Sequence, residues 1–342
     1  MSNEFKKFLE PDYNTSYDEA KNAFGMIADG LVGNEDIKKF LLKINKLEDG
    51  EDTRYLDYLG GAVSEFSNKM VKIKSLKGAI DVCGTGGDGL NTLNISTAVA
   101  FVVAACGVPV AKHGNKAVSS KSGSADIFSA LGIDINLSKE KAEECLEKNN
   151  LVFLFAPNYH PAFKHVSQAR RELCVKTIFN YLGPVLNPAQ VEYQLIGCSN
   201  KEMAYGLIAA SGFFCSTNCT VVNGDDGMDE ISISSDSTIF TKSPLGIFES
   251  PIKIKFNPKK YGFKKIDKSL IEGKTPEYNA VKLVELLRGN KSAYYDAVVL
   301  NAALALTTSG KSFDFKGAIE IAKEAIDNKA ALNVLTKLQN FK

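Results

Sequence analysis

In residues 1 to about 72 the apolar positions fall three and four apart. Asp18 to Asp29 and Glu35 to Ile44 each carry such a stripe, with Gly30, Gly33 and Gly50 as punctuation. Strand-like alternation is scarce there, so this stretch is predicted to be helical. The pattern changes at Gly78. Ala79 to Cys83 is a short apolar run, a glycine-rich turn follows, and Ser96 to Cys106 reads as a buried helix capped by Ser96 or Asn94. Gly107 ends it, and Val108 to Ala111 is the next predicted strand. Strand, loop, helix and strand in that order predict a parallel sheet. The unit recurs. Helix Ser124 to Leu131, then helix Lys139 to Lys148 capped by Ser138, precede strand Leu151 to Ala156. Strand Gln194 to Cys198, helix Lys201 to Phe214 and strand Cys219 to Val222 follow. Residues 231 to 256, richer in Ser, Thr and Ile, suggest short antiparallel strands. From Glu277 onward the chain is again helical. No internal repeat or low-complexity linker interrupts it.

Composition narrows the class. The 342 residues, 44% of them hydrophobic, suffice for one large domain or two modest ones. Lys plus Arg is 41 against 40 for Asp plus Glu, a net charge of +1. Such a balance leaves no broad electrostatic footprint for nucleic acid or membrane, so any anionic ligand needs a local site. The opening MSNEFKKFLEPDYN lacks an apolar run after its lysines, so no secretory leader is expected. The most apolar candidate for a membrane span, Ile95 to Val110, is short and carries Ser96, Thr97, Gly107 and Pro109. Seven scattered cysteines, an odd number mostly in apolar runs, predict reduced thiols and a cytoplasmic location. Cys215 and Cys219 lack a second Cys or His pair nearby, which favours a core reading over a metal reading.

The turn after the first strand is Gly84-Thr85-Gly86-Gly87-Asp88-Gly89. It satisfies G-x-G-x-x-G, a weak signal by itself. Glycines let backbone N–H groups approach an anionic oxygen, and a following helix N-terminus adds favourable partial charge. A nicotinamide site would want an acid about 20 residues on, at the end of the second strand. Ala104 to Lys112 has none, and the strand ends instead in Lys112-His113, which suits phosphate. Asp88 within the cradle would repel phosphate unless a cation intervened, which points to a phosphorylated ligand bound with Mg²⁺. The second strand leads into Lys112-His113-Gly114-Asn115-Lys116-Ala117-Val118-Ser119-Ser120-Lys121-Ser122-Gly123-Ser124-Ala125-Asp126, a donor-rich loop between strand and helix. In an open parallel sheet both loops would face one crevice.

At these residues the chain resembles the anthranilate phosphoribosyltransferase family. The shared motifs are GTGGD at 84–88, NIST at 94–97, KHGN at 112–115 and SSKSGSAD at 119–126. They continue with FAPNYHPAFKHV at 155–166, ARREL at 169–173, TIFNYLGPVLNP at 177–188, QLIG at 194–197 and DGMDEIS at 226–232. The resemblance implies an α/β fold with a small all-helical domain plus a large α/β domain around a mostly parallel central sheet. The helical part would take residues 1–72 with a returning segment at about 172–190. The phosphoribosyl-pyrophosphate-binding part would take 73–171 and 191–342, with the substrate cleft between. A homodimer through the helical domain is also implied.

The resemblance further implies a phosphoribosyl pyrophosphate site of Gly84, Gly87, Asp88, Thr92, Asn94, Ile95, Ser96, Thr97, Lys112, His113, Gly114, Asn115, Ser119, Ser120 and Ser124. Anthranilate would meet Gly84, His113, Asn115, Tyr159 and Arg170, with His160 also on its path. Arg170 would hold its carboxylate by two parallel bonds. Ser96 would bind one Mg²⁺ and Asp229 with Glu230 another. Read without the family, Asp225, Asp226, Asp229 and Glu230 look like a solvated acidic turn, Arg171 with Glu172 like a surface pair, and His165 like a structural residue. The chain departs from the family pattern at Lys116, Cys174, Lys176 and Asn223, where Arg, Gly, Arg and His are usual. The expected reaction is pentosyl transfer to the amine of anthranilate with loss of pyrophosphate, in tryptophan biosynthesis. It needs no side-chain nucleophile, acid or base. The alternatives are a pyrimidine nucleoside phosphorylase and a non-catalytic, nucleic-acid-binding relative.

Overall fold

The computed structural model describes residues 4–10, 13–48, 54–86, 89–117, 121–213, 218–242 and 251–342. Three helices open the chain: α1 (Tyr17–Ala28), α2 (Asn34–Glu48) and α3 (Arg54–Asn68). Ser16 and Glu19 form a capping box at α1, with the Ser16 amide and hydroxyl both 3.1 Å from the Glu19 carboxylate. Strand β1 (Ile80–Gly84), α4 (Ile95–Ala105) and β2 (Val110–Gly114) follow, then α5 (Ser124–Ala130), α6 (Lys139–Asn149) and β3 (Leu151–Phe155). The chain next forms α7 (Ala156–Tyr159), α8 (Lys164–Leu173), α9 (Phe179–Val185), β4 (Tyr193–Gly197), α10 (Lys201–Ala209) and β5 (Asn218–Gly224). Strands β6 (Ser237–Thr241) and β7 (Ile252–Phe256) precede α11 (Pro276–Leu287), α12 (Ala293–Thr308), α13 (Phe315–Asp327) and α14 (Ala330–Gln339).

The strands form one sheet in the order β3-β2-β1-β4-β5-β6-β7. Neighbours from β3 to β5 run parallel, and β6 and β7 are antiparallel. The mostly parallel sheet and the short antiparallel strands within 231–256 match the sequence expectation. Most element ends differ by a residue or two, but α2 runs on to Glu48 and β2 to Gly114, beyond the expected ends at Ile44 and Ala111. α4 starts at Ile95 with Asn94 in the cap position, but the Asn94 side chain makes no cap bond. The helix expected over Lys201 to Phe214 is α-helical through Ala209 and continues as a 3₁₀ turn over Ala210–Phe213.

Side chains alternate across the sheet and so divide the interior in two. Val82, Leu195, Val222 and Ile239 join a core with α4, α11, α12, α13 and α14. Their neighbours Cys83, Ile196, Val221 and Phe240 face the opposite way, into a core with α1, α2, α3, α8 and α9. α4 is apolar nearly all round because it is buried on all sides; Phe101 is fully buried, an interior contribution of about 2–3 kcal/mol. The helical layer is therefore bound to the sheet by a continuous apolar face.

α8 ends at Cys174 with φ 52°, the left-handed region. That geometry explains why glycine is usual at this position: a Cβ there costs about 1–2 kcal/mol. Cys174→Gly is expected to raise stability by roughly 0.5–1 kcal/mol after the extra unfolded-chain entropy of glycine is counted. Chemical denaturation would register this as a higher midpoint at unchanged slope. An unchanged or lower midpoint would show that the strain is absent.

Candidate active site

The chain leaves β1 through α4 towards β2 on one side of the sheet, and leaves β4 through α10 towards β5 on the other. The carboxyl ends of β1 and β4 therefore bound a crevice, the usual ligand position in such sheets. Gly84 and Gly197 sit there, paired in register. A Cβ on Gly84 would lie 2.5 Å from an Asp229 carboxylate oxygen, and one on Gly197 would collide with the Asp229 carbonyl. Bare backbone at both positions lets the 224–230 turn close over the strand ends. The turn delivers Asp229 and Glu230 to a small cavity that Val82, Cys83, Ser96 and Asn301 also line.

The acidic turn is not a uniformly solvated patch. Asp225 pairs with Lys201 and Lys255, each at 2.9 Å. Asp226 builds the turn itself, accepting from the Ser232 hydroxyl at 2.8 Å, from the Ser234 hydroxyl and from the Met228 amide. Two of the four acids are thus occupied with local structure, and the other two face the cavity.

Both loops are tied down. Thr85 N–H donates to the Gly197 carbonyl at 2.9 Å, Leu93 N–H donates to the Ile271 carbonyl at 2.8 Å, and Thr92 bridges to Glu272. Asn94 donates to the Ser122 carbonyl at 3.1 Å and accepts from Asn279 at 3.0 Å, so it joins the first loop to the second. Ile95 and Thr97 are buried in α4, whereas Ser96 is half-buried. In the second loop the Asp126 carboxylate accepts from the Ala117 amide at 3.0 Å and the Gly123 amide at 2.9 Å. A Cβ on Gly114 would strike the Ser124 hydroxyl, and Asn115 is exposed beside it. Asp126 has a shaping role that reading the motif as a set of donors missed; its signal was an acid at the third position of α5. Gly87, Asp88, Ser119 and Ser120 lie outside the described residues, as does Cys215.

Lys112 is 2% exposed. Its ammonium donates to the Val82 carbonyl at 2.5 Å and to the Ser96 hydroxyl at 3.2 Å. Burial pulls its pKa down, and the nearby carboxylates, Asp81 first and then Glu230 and Asp229, pull it back up. Asp81, buried in β1, accepts the His113 amide at 3.2 Å, and burial pushes its carboxyl up to about 6. The sequence reading passed over it as part of an apolar run, although an acid within such a run was itself the signal.

A row of rings leads away from the cavity. His113 Nδ1 lies 3.1 Å from the Gly183 carbonyl and its Nε2 lies 3.1 Å from His160 Nε2. A carbonyl can only accept, so Nδ1 carries the hydrogen, the His113 Nε2 accepts, and the His160 Nε2–H donates. Burial and the adjacent His160 hold the His113 pKa down to about 3, and burial holds that of His160 down to about 4. Both rings are neutral near pH 7. His160 packs edge-on to Phe163, Phe163 to Phe179, and the Arg170 guanidinium sits 5.8 Å over the Phe179 ring. Burial lowers the Arg170 pKa, and among the described residues no carboxylate pairs with it. Tyr159 is not brought to this row. Its ring is buried in the core near α6, with its pKa pushed up to about 12 by burial and by nearby Cys145 and Glu143. The expected pairing of Arg171 with Glu172 does not form: Glu172 instead accepts from Lys38 and Asn34, each at 2.8 Å, because α2 packs alongside α8. His165 lies against Gly30, where a Cβ would come within 2.6 Å of the ring, a packing role.

The a/b domain of the glycosyl transferase family matches residues 76–332. The anthranilate phosphoribosyltransferase of Methylocella silvestris is 38% identical over 320 residues, 94% of this chain and 89% of that protein. The crystal structure of the anthranilate phosphoribosyltransferase from Thermus thermophilus superposes with a TM-score of 0.89 at 30% identity, covering 99% of this chain and 98% of that one. The Saccharomyces cerevisiae enzyme in complex with PRPP and Mg superposes with a TM-score of 0.87 at 27% identity, covering 98% and 95%. With its glycine-lined switch point, paired acids and tethered loops, the chain belongs to this glycosyl transferase family, among its anthranilate phosphoribosyltransferases.

Proposed function

We infer that this enzyme transfers the phosphoribosyl group of phosphoribosyl pyrophosphate to the amine of anthranilate, with Mg²⁺, in tryptophan biosynthesis. The observation that carries it is one cavity at the β1/β4 switch point lined by Ser96, Asp229 and Glu230, with Lys112 bonded to Ser96. The donor set is all oxygen and holds two carboxylates, which suits Mg²⁺ whose remaining positions are filled by phosphate oxygens and water. Two ions are proposed, Ser96 holding one and Asp229 with Glu230 the other. Bound Mg²⁺ would supply neutralisation of the departing pyrophosphate.

The chain's own residues do the rest. Lys112 and the tethered loops bind and orient the diphosphate; Gly87, Asp88, Ser119 and Ser120 are proposed to join them. The anomeric C–O bond breaks with its electron pair leaving on pyrophosphate, and the anthranilate nitrogen forms the new bond and then releases its proton. Arg170, lacking a protein carboxylate among the described residues, is proposed to hold the acceptor's carboxylate at the far end of the ring row. His113 and His160, locked neutral, line that row without adding a competing cation. The relatives are transferases, and nothing in the site favours a phosphorylase or a silent nucleic-acid binder. We propose in addition a homodimer through the helical layer, which exposes Leu31 and Leu42, the helical and α/β domain limits given by the family, and a cytoplasmic location. Among the described residues no helix is long and apolar enough to cross a membrane.

Loss of anthranilate fluorescence on mixing enzyme, Mg²⁺ and phosphoribosyl pyrophosphate tests the reaction; a constant signal would refute it. Arg170→Ala is expected to raise the anthranilate KM roughly 10- to 100-fold, the worth of a charge-assisted hydrogen bond, and to leave the donor KM within a few-fold. Equal rises would remove the assigned role. The double variant Asp229→Ala with Glu230→Ala should lose most activity and need far more Mg²⁺ to recover any. An unaltered Mg²⁺ titration would rule out those ligands.

A further inference from the structure

Five register pairs join β1 to β4, β2 to β3 and β4 to β5, but β1 meets β2 at one, Ile80 with Val110. The next rung of a regular parallel ladder would carry the His113 amide to the Val82 carbonyl, with the Ala111 carbonyl taken up beside it. Side chains take all three groups instead. The His113 N–H donates to Asp81 Oδ1 at 3.2 Å, Lys112 Nζ donates to the Val82 carbonyl at 2.5 Å, and Asn187 Nδ2 donates to the Ala111 carbonyl at 2.8 Å. The strands part at their carboxyl ends, where the crevice opens, and a buried acid and a buried ammonium span the gap.

This arrangement bears on Lys112. Asp81 is fully buried and Lys112 nearly so, and a buried charge persists when an opposite charge faces it. The other acids near Lys112 are Asp229 and Glu230, which the reading above commits to Mg²⁺. Asp81 is the remaining fixed carboxylate, and it is screened from solvent.

We propose that Asp81 is a positioning residue for phosphoribosyl transfer: its carboxylate stands in for the missing β1/β2 rung and supplies the counter-charge that holds the Lys112 ammonium between the strands and against Ser96. The proposal rests on the assigned reaction for its kinetic consequence, but its physical content is anion affinity. Asp81→Asn keeps an acceptor for the His113 amide and removes the charge. It is expected to raise the KM for phosphoribosyl pyrophosphate and the calorimetric Kd of inorganic pyrophosphate with Mg²⁺ at least ten-fold, with the anthranilate KM within two-fold. In a Lys112→Met background the same change should alter pyrophosphate affinity less than two-fold, because the charge it serves is gone. Equal rises in both KM values, or the same ten-fold penalty without the lysine, would overturn the proposal. Should wild-type enzyme fail to convert anthranilate, the assigned reaction falls, and the pyrophosphate affinities still decide the role of Asp81. Thermal midpoints decide it even if Asp81→Asn alone folds poorly. Lys112→Met leaves an uncompensated buried carboxylate, so adding Asp81→Asn to it should raise the midpoint. A further fall there would refute the counter-charge role.

Discussion

The site depends on how closely a turn can approach two strand ends. Gly84 and Gly197 present bare backbone at the carboxyl ends of β1 and β4, and Asp229 occupies the volume that side chains would need. A Cβ at either position would push the acidic turn outward, and the cavity shared by Ser96, Asp229 and Glu230 would open. The rest of the machinery is arranged around that contact. Asn94 ties the first loop to the second, Asp126 closes the second on itself, and Lys112 reaches back between the strands to Ser96.

Charge is sorted by burial as much as by residue type. Asp225 and Asp226 belong to the same turn as Asp229, but ion pairs and serine hydroxyls engage them. Lys112 and Asp81 are both held inside the sheet, where an uncompensated charge would be costly. Arg170 stands at the opposite end of a ring row whose two imidazoles are kept neutral by burial. The proposed diphosphate groups and the Arg170 guanidinium thus stand at opposite ends of that row among the described residues, an arrangement that suits two anionic substrates of different shape.

Several elements were legible because their cause is local. Period-3.6 apolar stripes gave α1 and α2, short apolar runs after turns gave β1 and β3, and glycine spacing marked the turn after β1. Family motifs pointed to Arg170, Asp229 and Glu230; Asp229 and Glu230 line one cavity, and Arg170 lies over the Phe179 ring. Tyr159 shows the limit of that procedure: it lies within a matched motif, next to His160, but its ring is buried in the core near α6. Glu172 shows another, because the neighbour that pairs with it, Lys38, comes from a helix 134 positions away.

By itself the sequence determined the periodicities, the glycine-rich turn, the family and so the chemistry, since each is written in residues close together or in motifs read in order. Tertiary structure alone decided which of four neighbouring acids faces the cavity, which histidine nitrogen carries the hydrogen, and that Asp81 and Lys112 span a parted pair of strands. Those outcomes depend on burial and on partners distant along the chain, and neither quantity is a property of any local stretch of residues.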